Sequence, residues 1–359
     1  MSKVTIADVA KEAGLSKTAV SFALNDNWKG KLSVEAANRA KSAAEKLGYR
    51  PNHSAKALRS QSTASLGFLS TQVSVTRFAM DMISGAISAA NENDHALLVG
   101  ETAPKDLHVE VKEAMQIRAP GDIGINTVSG QKALSALLDR QIDGLIVAEM
   151  RARKIMTPEL PENLPVVYLN CAPNFPAPVI LPDETSAGEA TVETLINQAK
   201  PSKVMLIGTS DELETKPELS ITIGERISAI RKKLREHDLE TLEMPGSHWS
   251  SEFGYEVFIE NYTKHKPDAV IALNDQIGFG VYQACSDLGI KVGEDISLIS
   301  FDDDELSRLV RPGLSTAALP YEEMGRLAVE LVLGGKLENR VYKVQMPIKH
   351  RASIRQIPS

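Results

Sequence analysis

Lysine, hydroxyl and aromatic side chains share the outward face of a short helix predicted near the start of the chain. They are Lys17, Thr18, Ser21 and Phe22. An outward phenylalanine beside such polar groups is unusual for a helix that faces water. In a DNA major groove, by contrast, lysine can bond guanine edges or phosphates, hydroxyls can bond either, and a phenyl ring can pack on thymine methyl groups. We therefore expect this face to contact DNA bases.

Two short helices around a tight turn are expected to position that face. Thr5 is a good N-cap for the first helix, and Asp8 stands three residues later to complete a capping box. Gly14 is expected to end the first helix, and Ser16 to cap the second. The stretch 4–25 therefore predicts a helix–turn–helix, and a third helix is predicted to follow it.

Charge is unevenly distributed along the 359 residues. The whole chain carries a net charge of −7, yet residues 1–60 hold 11 basic and 5 acidic side chains, a net of +6. A basic head on an acidic body is typical of a separate DNA-binding module. The length is sufficient for two or three domains with their own cores.

Several function classes lack their sequence signals. No apolar run is long enough to span a membrane, and the first residues contain no signal-peptide pattern, so we expect a cytoplasmic protein. Cys171 and Cys285 are the two cysteines, and neither they nor the seven scattered histidines have metal-ligand spacing. We find no nucleophile elbow, phosphate loop or pair of catalytic acids, and we expect no enzyme activity, metal or cofactor.

From Leu66 onward, short apolar strands alternate with amphipathic helices, as in parallel α/β sheets. A first series of predicted strands is Leu66–Ser70, Ala96–Gly100, Gly144–Ala148 and Val166–Asn170. A second series is Val179–Leu181, Lys203–Gly208, Thr241–Met244, Ala269–Leu273 and Ile296–Phe301. We expect two similar doubly wound lobes, with a ligand cleft beyond the carboxyl ends of their strands.

Several blocks of sequence are distinctive. At the head they are VTIADVAKEAG, LSKTAVSFALN and LGYRPN; in the body they include DGLIV, PVVYLN, PDETSAGEA, ALNDQIGFGVYQACSDLGIKVGEDISLISFDDD and GLSTAALPYEEMG. In order and spacing, these blocks resemble the lactose-repressor (LacI/GalR) family of bacterial transcription regulators. The resemblance spans nearly the whole chain. It implies a homodimer that binds a near-palindromic operator DNA, and a periplasmic-binding-protein-like core that holds a small-molecule effector between its lobes.

The resemblance also implies domain bounds. The helix–turn–helix domain is expected at 1–51, the hinge helix and linker at 52–64, and the effector-binding and dimerisation core at 65–359. Within that core, the first lobe is expected at about 65–170 plus 319–350. The second is expected at about 171–318 plus the C-terminal end.

The DNA-binding residues are expected in two groups. The resemblance places Lys17, Thr18 and Phe22 at base-contacting positions, and Phe22 stands where many family members carry Arg. The alternative for Phe22 is packing against the loop around Trp28. Backbone contacts or helix caps are expected from Thr5, Ser16, Ser21 and Asn25.

A hinge helix is the second expected DNA-binding element. It corresponds to NHSAKALR, in which Asn52, Ala55, Lys56, Leu58 and Arg59 are expected to lie at the minor groove. Leu58 would act as a wedge that kinks the DNA at a central base step. The alternative is an ordinary linker.

Residues that match effector-binding positions of the family come from both lobes. They are Thr71, Phe78, Ser186, Thr222, Arg226, Trp249, Asn274, Asp275, Asp302 and Tyr321, the last placed at the final crossover. Arg226 can alternatively be a structural ion pair, Trp249 a core residue, and Asp302 part of a solvated acidic loop. A sugar, a polyol and a nucleoside all remain candidate effectors. The competing hypothesis of a transporter's solute-binding protein fits the body but not the basic head.

Overall fold

A computed structural model describes residues 4–25, 27–50, 62–70, 73, 78–101, 128–157, 160–246 and 248–356. Within the chain, residues 1–63 and 64–359 form two separate compact units, the head and the core.

The described part of the head contains three helices around one small core. They are α1 (Ile6–Ala13), α2 (Lys17–Leu24) and α3 (Val34–Lys46). Among the residues that the structure describes, the buried side chains of the head core are all valines and alanines. Such small side chains allow three short helices to pack at close range, and their burial stabilises helices too short to persist alone.

The core contains two six-stranded sheets, one for each lobe. The strand order of the first sheet is β11-β5-β4-β3-β1-β2 and that of the second is β12-β10-β9-β8-β6-β7. The first comprises β1 (Ser65–Ser70), β2 (Ala96–Glu101), β3 (Gly144–Lys154), β4 (Val166–Ala172), β5 (Val179–Pro182) and β11 (Val341–Val344). The second comprises β6 (Lys203–Thr209), β7 (Glu240–Pro245), β8 (Ala269–Ala272), β9 (Ser297–Asp302), β10 (Ser315–Ala318) and β12 (Ile348–Lys349). All pairings are parallel except that of β10 with β12.

Helices cover both faces of each sheet, so each sheet has an apolar core on either side. The helices are α4 (Phe78–Glu92), α5 (Val128–Leu138), α6 (Glu184–Ala199), α7 (Asp211–Thr215), α8 (Ile223–Glu236), α9 (Ser251–His265), α10 (Asp275–Leu288), α11 (Glu305–Leu309) and α12 (Tyr321–Leu333). The expected fold class, an all-α head followed by two doubly wound parallel-sheet lobes, is confirmed.

The chain crosses between the lobes three times, after β5, after β10 and after β11. The strand at Val179, which the sequence assigned to the second series, is β5 of the first sheet. The first lobe therefore continues to Pro182 instead of ending near residue 170, and β12, within the expected range 319–350, belongs to the second sheet. Tyr321 lies at the second crossing rather than the last, because β11 returns to the first sheet after α12.

Candidate functional site

Helices α1 and α2 have the predicted caps. The backbone N–H of Thr5 donates to Asp8 Oδ2 at 2.8 Å, and its hydroxyl donates to the same oxygen at 2.7 Å. These bonds to Thr5 lower the pKa of Asp8. Gly14 ends α1 with φ of 64°, a left-handed conformation that suits glycine. The Ser16 hydroxyl accepts from Ala19 N–H at 3.1 Å and starts α2.

The exposed face of α2 carries the side chains expected to contact bases. Lys17 and Thr18 are exposed, whereas Val20 and Ala23 on the opposite face are buried in the head core. Asn25 ends the helix and donates from Nδ2 to Ser21 O at 2.7 Å, so this pair stabilises the helix terminus. The orientation of α2 therefore leaves its first turn available for contact with a groove.

Phe22 is half-buried, and its ring is covered by a lysine from the following loop. The Lys31 ammonium lies 4.4 Å from the ring centroid, a cation–π contact. Trp28 of the same loop packs against the head core. The loop thus reaches Phe22 through Lys31 and places a positive charge beside the face of α2.

Some expected site residues lie outside the described residues. They are Asn52, Ala55, Lys56, Leu58 and Arg59 of the expected hinge, and Thr71 of the expected cleft. Their roles stay predictions.

Arg226 is the most tightly held of the expected effector residues. Its Nε donates to Glu184 Oε2 at 2.6 Å and its Nη2 donates to Glu184 Oε1 at 2.8 Å. Its Nη1 donates to Leu273 O at 2.6 Å. The guanidinium also stacks on Phe301, 4.2 Å from the ring centroid. Burial opposes the charge of Arg226, but the Glu184 carboxylate outweighs it and raises the pKa. This is a bidentate ion pair between α6 and α8.

Asp302 is the last residue of β9 and stands next to that pair. Its carboxylate lies 3.9 Å from Arg226, and its side chain is 18% exposed. Asp302 has φ of 108° and Asp303 has φ of 55°, so the backbone at this strand end is in a region that non-glycine residues rarely adopt. The three aspartates of the run differ in their partners: Asp303 pairs with Arg308 and Arg351, and Asp304 caps α11. Asp303 and Asp304 are thus held by protein partners, while the role of Asp302 as an effector-binding residue stays a prediction.

Asp275 and Asn274 begin α10, and both serve the second lobe internally. The buried Asp275 carboxylate accepts from the hydroxyls of Ser300 and Thr316 and from Asp304 N–H. Burial, followed by the charge of Asp302, raises the pKa of Asp275 well above its usual range. Asn274 Oδ1 caps α10 at Ile277 N–H, 2.8 Å away. Both residues position the strand ends around Asp302.

Trp249 lies beside these strand ends, with its indole ring partly buried. Its Nε1 donates to Gly208 O at 2.8 Å, and Asn274 Nδ2 donates to Trp249 O at 3.2 Å. The ring packs against the apolar cores on both sides of the second sheet. The indole N–H is thus committed to the backbone, and the ring offers surface rather than a hydrogen bond.

The first lobe contributes aromatic and amide groups. Tyr321 and Phe78 meet edge to face with ring centroids 6.1 Å apart, and Asn170 Nδ2 donates to Tyr321 Oη at 3.4 Å. Burial, then the charges of Asp302 and Glu184, raises the pKa of Tyr321. Tyr321 is therefore held by first-lobe groups at a place where the acidic charges of the second lobe act on its hydroxyl.

Ser186 and Thr222 are expected site residues that the structure places at helix starts. The Ser186 hydroxyl donates to Asp183 Oδ2 at 2.7 Å, beside the first crossing. Thr222 is buried, and its N–H donates to Ser220 Oγ at 3.2 Å just before α8. Thr222 O also accepts from Arg226 N–H at 3.3 Å, so of these two residues Thr222 contacts Arg226 through the backbone. Both orient helices whose first turns approach the strand ends.

Sequence reasoning missed a cross-lobe contact at the end of β3. The register of β3 against β4 shifts between Ala148 and Arg153, so the strand bulges there. Ala152 O accepts from Ile221 N–H at 2.7 Å, and Lys154 N–H donates to Pro217 O at 2.8 Å. Ile221 also packs on the first-lobe core.

Two paired glutamates were also missed as site residues, Glu184 and Glu149. Glu149 is buried and accepts from Arg153 at 2.7 Å, while Asn170 Nδ2 donates to Glu149 O at 3.0 Å. That bond fixes the orientation of the Asn170 amide, since a flipped amide would face two oxygens toward each other. Asn170 Oδ1 is buried with no hydrogen-bond partner among the described residues. No pattern in the sequence distinguishes these glutamates from surface ones.

Two negative findings apply to the described residues. None of their helices is long and apolar enough to cross a membrane. No group of three His, Cys, Asp or Glu side chains among them could hold a metal ion.

Known proteins combine the same two units. Residues 5–52 match the family described as bacterial regulatory proteins, lacI family, and residues 198–354 match the periplasmic binding protein-like domain. Catabolite control protein A of Priestia megaterium is 25% identical over 363 residues, which cover 98% of each protein. The crystal structure of the lac repressor dimer bound to operator and the anti-inducer ONPF has a TM-score of 0.70 and 20% identity, and covers 99% of this chain and 100% of that one. The protein CCPA of Weissella paramesenteroides, with bound glucose, has a TM-score of 0.59 and 20% identity over 82% of this chain and 100% of that one.

A helix–turn–helix head joined to a two-lobed binding core defines a ligand-responsive DNA-binding protein. Residues 5–52 form a DNA-binding domain of the lacI family of bacterial regulatory proteins, and the core contains a periplasmic binding protein-like domain, so the protein is a DNA-binding transcriptional regulator.

Proposed function

We propose that the protein is a homodimeric repressor that binds a near-palindromic operator and changes its operator affinity when a small molecule binds between the two lobes. A regulator of DNA acts where the DNA is, so we also propose a cytoplasmic location. The effector belongs to the sugar, polyol or nucleoside class.

The observation that supports an effector site here is the convergence of groups from both lobes around Tyr321. Asn170 and Phe78 contact it from the first lobe, while the charges of Asp302 and Glu184 act on it from the second. In parallel α/β sheets, ligands bind beyond the carboxyl ends of the strands, and Asp302 is such an end. A ligand between these groups would contact both lobes and favour one relative arrangement of them.

Two known proteins support the proposed effector class. The structure from Weissella paramesenteroides contains glucose, and the lac repressor structure contains both operator and anti-inducer. The carboxylate of Asp302 can accept bonds from two neighbouring hydroxyls, and the indole face of Trp249 can pack on the apolar face of a sugar or base.

For operator recognition, we propose that Lys17 and Thr18 contact base edges from the exposed start of α2. Phe22 packs on thymine methyls at the edge of the same face, with Lys31 toward the phosphates. In this proposal, residues 52–59 form the hinge helix, with Leu58 as the minor-groove wedge. Effector binding then orders or melts the hinge, with a coupling free energy of about 1–3 kcal/mol.

Selection of operators from a palindromic DNA library, followed by gel shift with a metabolite panel, tests the proposal. We expect the folded full-length protein to retard one selected sequence, and at least one neutral sugar, polyol or nucleoside to change that affinity by about 5- to 150-fold. Failure to retard any DNA at low salt would refute operator binding. Replacement of Leu58 by Ala should weaken specific binding more than non-specific binding, and an equal loss of both would refute the wedge.

A further inference from the structure

Arg226 has already committed three of its five N–H groups to acceptors within the protein. Each of its three nitrogens already donates at 2.6–2.8 Å, two to Glu184 and one to Leu273 O. The side chain is 2% exposed, and that of Glu184 is 3% exposed. An arginine that binds phosphate or carboxylate presents its planar edge with at least two open N–H groups. Here Glu184 occupies the edge formed by Nε and Nη2, and the Asp302 carboxylate stands 3.9 Å from the same Nη2.

The charges around Arg226 are dominated by acids. Glu184 balances Arg226, and Asp302 stands 3.9 Å from the guanidinium at the more exposed side of the pair. An approaching ligand therefore meets a carboxylate before it meets the arginine, and the arginine's charge is already neutralised.

We propose that Glu184 is a specificity-determining residue, because its ion pair with Arg226 removes that arginine from anion recognition. The wall of the cleft formed by Glu184, Arg226 and Asp302 then selects an uncharged or cationic part of the effector that donates hydrogen bonds. The inference rests on the proposed function, since it concerns the same cleft. Hydroxyl groups of a sugar or polyol, or the ammonium of an amino sugar, suit this wall. A carboxylate or phosphate group does not.

The same pairing occurs in the first lobe. Arg153 donates to the buried Glu149 carboxylate at 2.7 Å, so a second arginine near the strand ends is matched to its own acid. Arg151 of the same bulge is exposed. The test therefore has to identify anion binding that depends on residue 226, as distinct from anion binding elsewhere.

Inorganic phosphate is a suitable probe because it needs no knowledge of the natural effector. The thermal midpoint of the full-length protein is measured against phosphate concentration at constant ionic strength. We expect no saturable shift for the wild type. We expect a saturable shift for Glu184→Gln, with at least a tenfold gain in phosphate affinity, and loss of that gain in Glu184→Gln/Arg226→Gln.

Glu189→Gln is the matched control. Glu189 lies on the same helix α6 and pairs with Lys232 at 3.3 Å, and its side chain is 32% exposed. This variant removes the same unit of negative charge away from Arg226. It should show no saturable phosphate binding, which separates a local effect from a change in net charge.

A second arm uses the wild type alone, in case Glu184→Gln does not fold. Matched ligands differ at one position: hexose, hexuronate and hexosamine, and nucleoside and nucleoside monophosphate. Any neutral or cationic member that binds should bind at least tenfold more tightly than its anionic partner. Absence of binding by every anionic member and by phosphate also supports the proposal.

Two results would overturn the proposal. One is saturable binding of phosphate or of an anionic sugar to the wild type that is lost in Arg226→Gln. The other is a folded Glu184→Gln variant that gains no phosphate affinity. An anionic ligand that binds through Arg226 and releases operator would leave the proposed function intact, whereas a neutral ligand that binds without changing operator affinity would contradict the proposed function alone.

Discussion

Replacing Arg226 by Met leaves the Glu184 carboxylate buried without its cation. Both side chains are at most 3% exposed, so water cannot compensate for the loss. Breaking a buried pair by removing one partner costs about 3–5 kcal/mol. Glu184→Met should lower the free energy of unfolding by an amount near the lower end of that range, because Asp302 lies 3.9 Å from the arginine and offsets part of its charge.

The double variant Glu184→Met/Arg226→Met should be much less destabilised than the two single variants suggest. It removes both charges together and leaves Leu273 O without its donor, a cost of about 1–2 kcal/mol. The coupling energy of the pair should then be at least about 3 kcal/mol. Urea unfolding followed by circular dichroism gives the midpoints, with the slope checked for constancy among variants.

A surface pair between the same two helices serves as the control. Glu189 on α6 and Lys232 on α8 are 3.3 Å apart, with side chains 32% and 59% exposed. Their coupling energy should be about 0–1 kcal/mol. If the buried pair shows a coupling as small as the surface pair, then Arg226 and Glu184 are solvated in solution and the structural reasoning is refuted.

Two further predictions concern the head and the contact between the lobes. Because the bonds from Thr5 lower the pKa of Asp8 in the folded head, this group contributes stability above its unfolded pKa of about 3.9, and the contribution is lost as pH falls through the lower folded value. Asp8→Asn should abolish this part of the acid dependence of head unfolding, and an unchanged pH profile would contradict it. At the bulge of β3, the amides of Lys154 and Ile221 should exchange slowly with solvent, since both donate across the lobes at 2.7–2.8 Å. Exchange as fast as in an exposed loop would show that the lobes separate there.

Much of the architecture follows from local sequence signals. Thr5, Gly14 and Ser16 occupy the cap positions that their side chains and backbone preferences predict. The first strands of each lobe are apolar runs bounded by helices, and they form as expected. The three strands that sequence reasoning omitted, β10, β11 and β12, are four residues long or shorter. Their pairing depends on the crossings between lobes rather than on their own composition.

The lobe boundary and the cleft chemistry depend on long-range partners. The strand at Val179 gives the same local signal in either lobe, and only pairing with β4 and β11 assigns it to the first. Arg226 likewise shows its alternative role only through Glu184, which lies 42 residues earlier in the chain. In the sequence, Glu184 is an ordinary acidic residue in the first turn of a helix, a position favoured by the helix dipole. A family position that carries the expected arginine therefore does not establish that the arginine binds the effector, because a single buried carboxylate on a neighbouring helix can convert it into a structural cation.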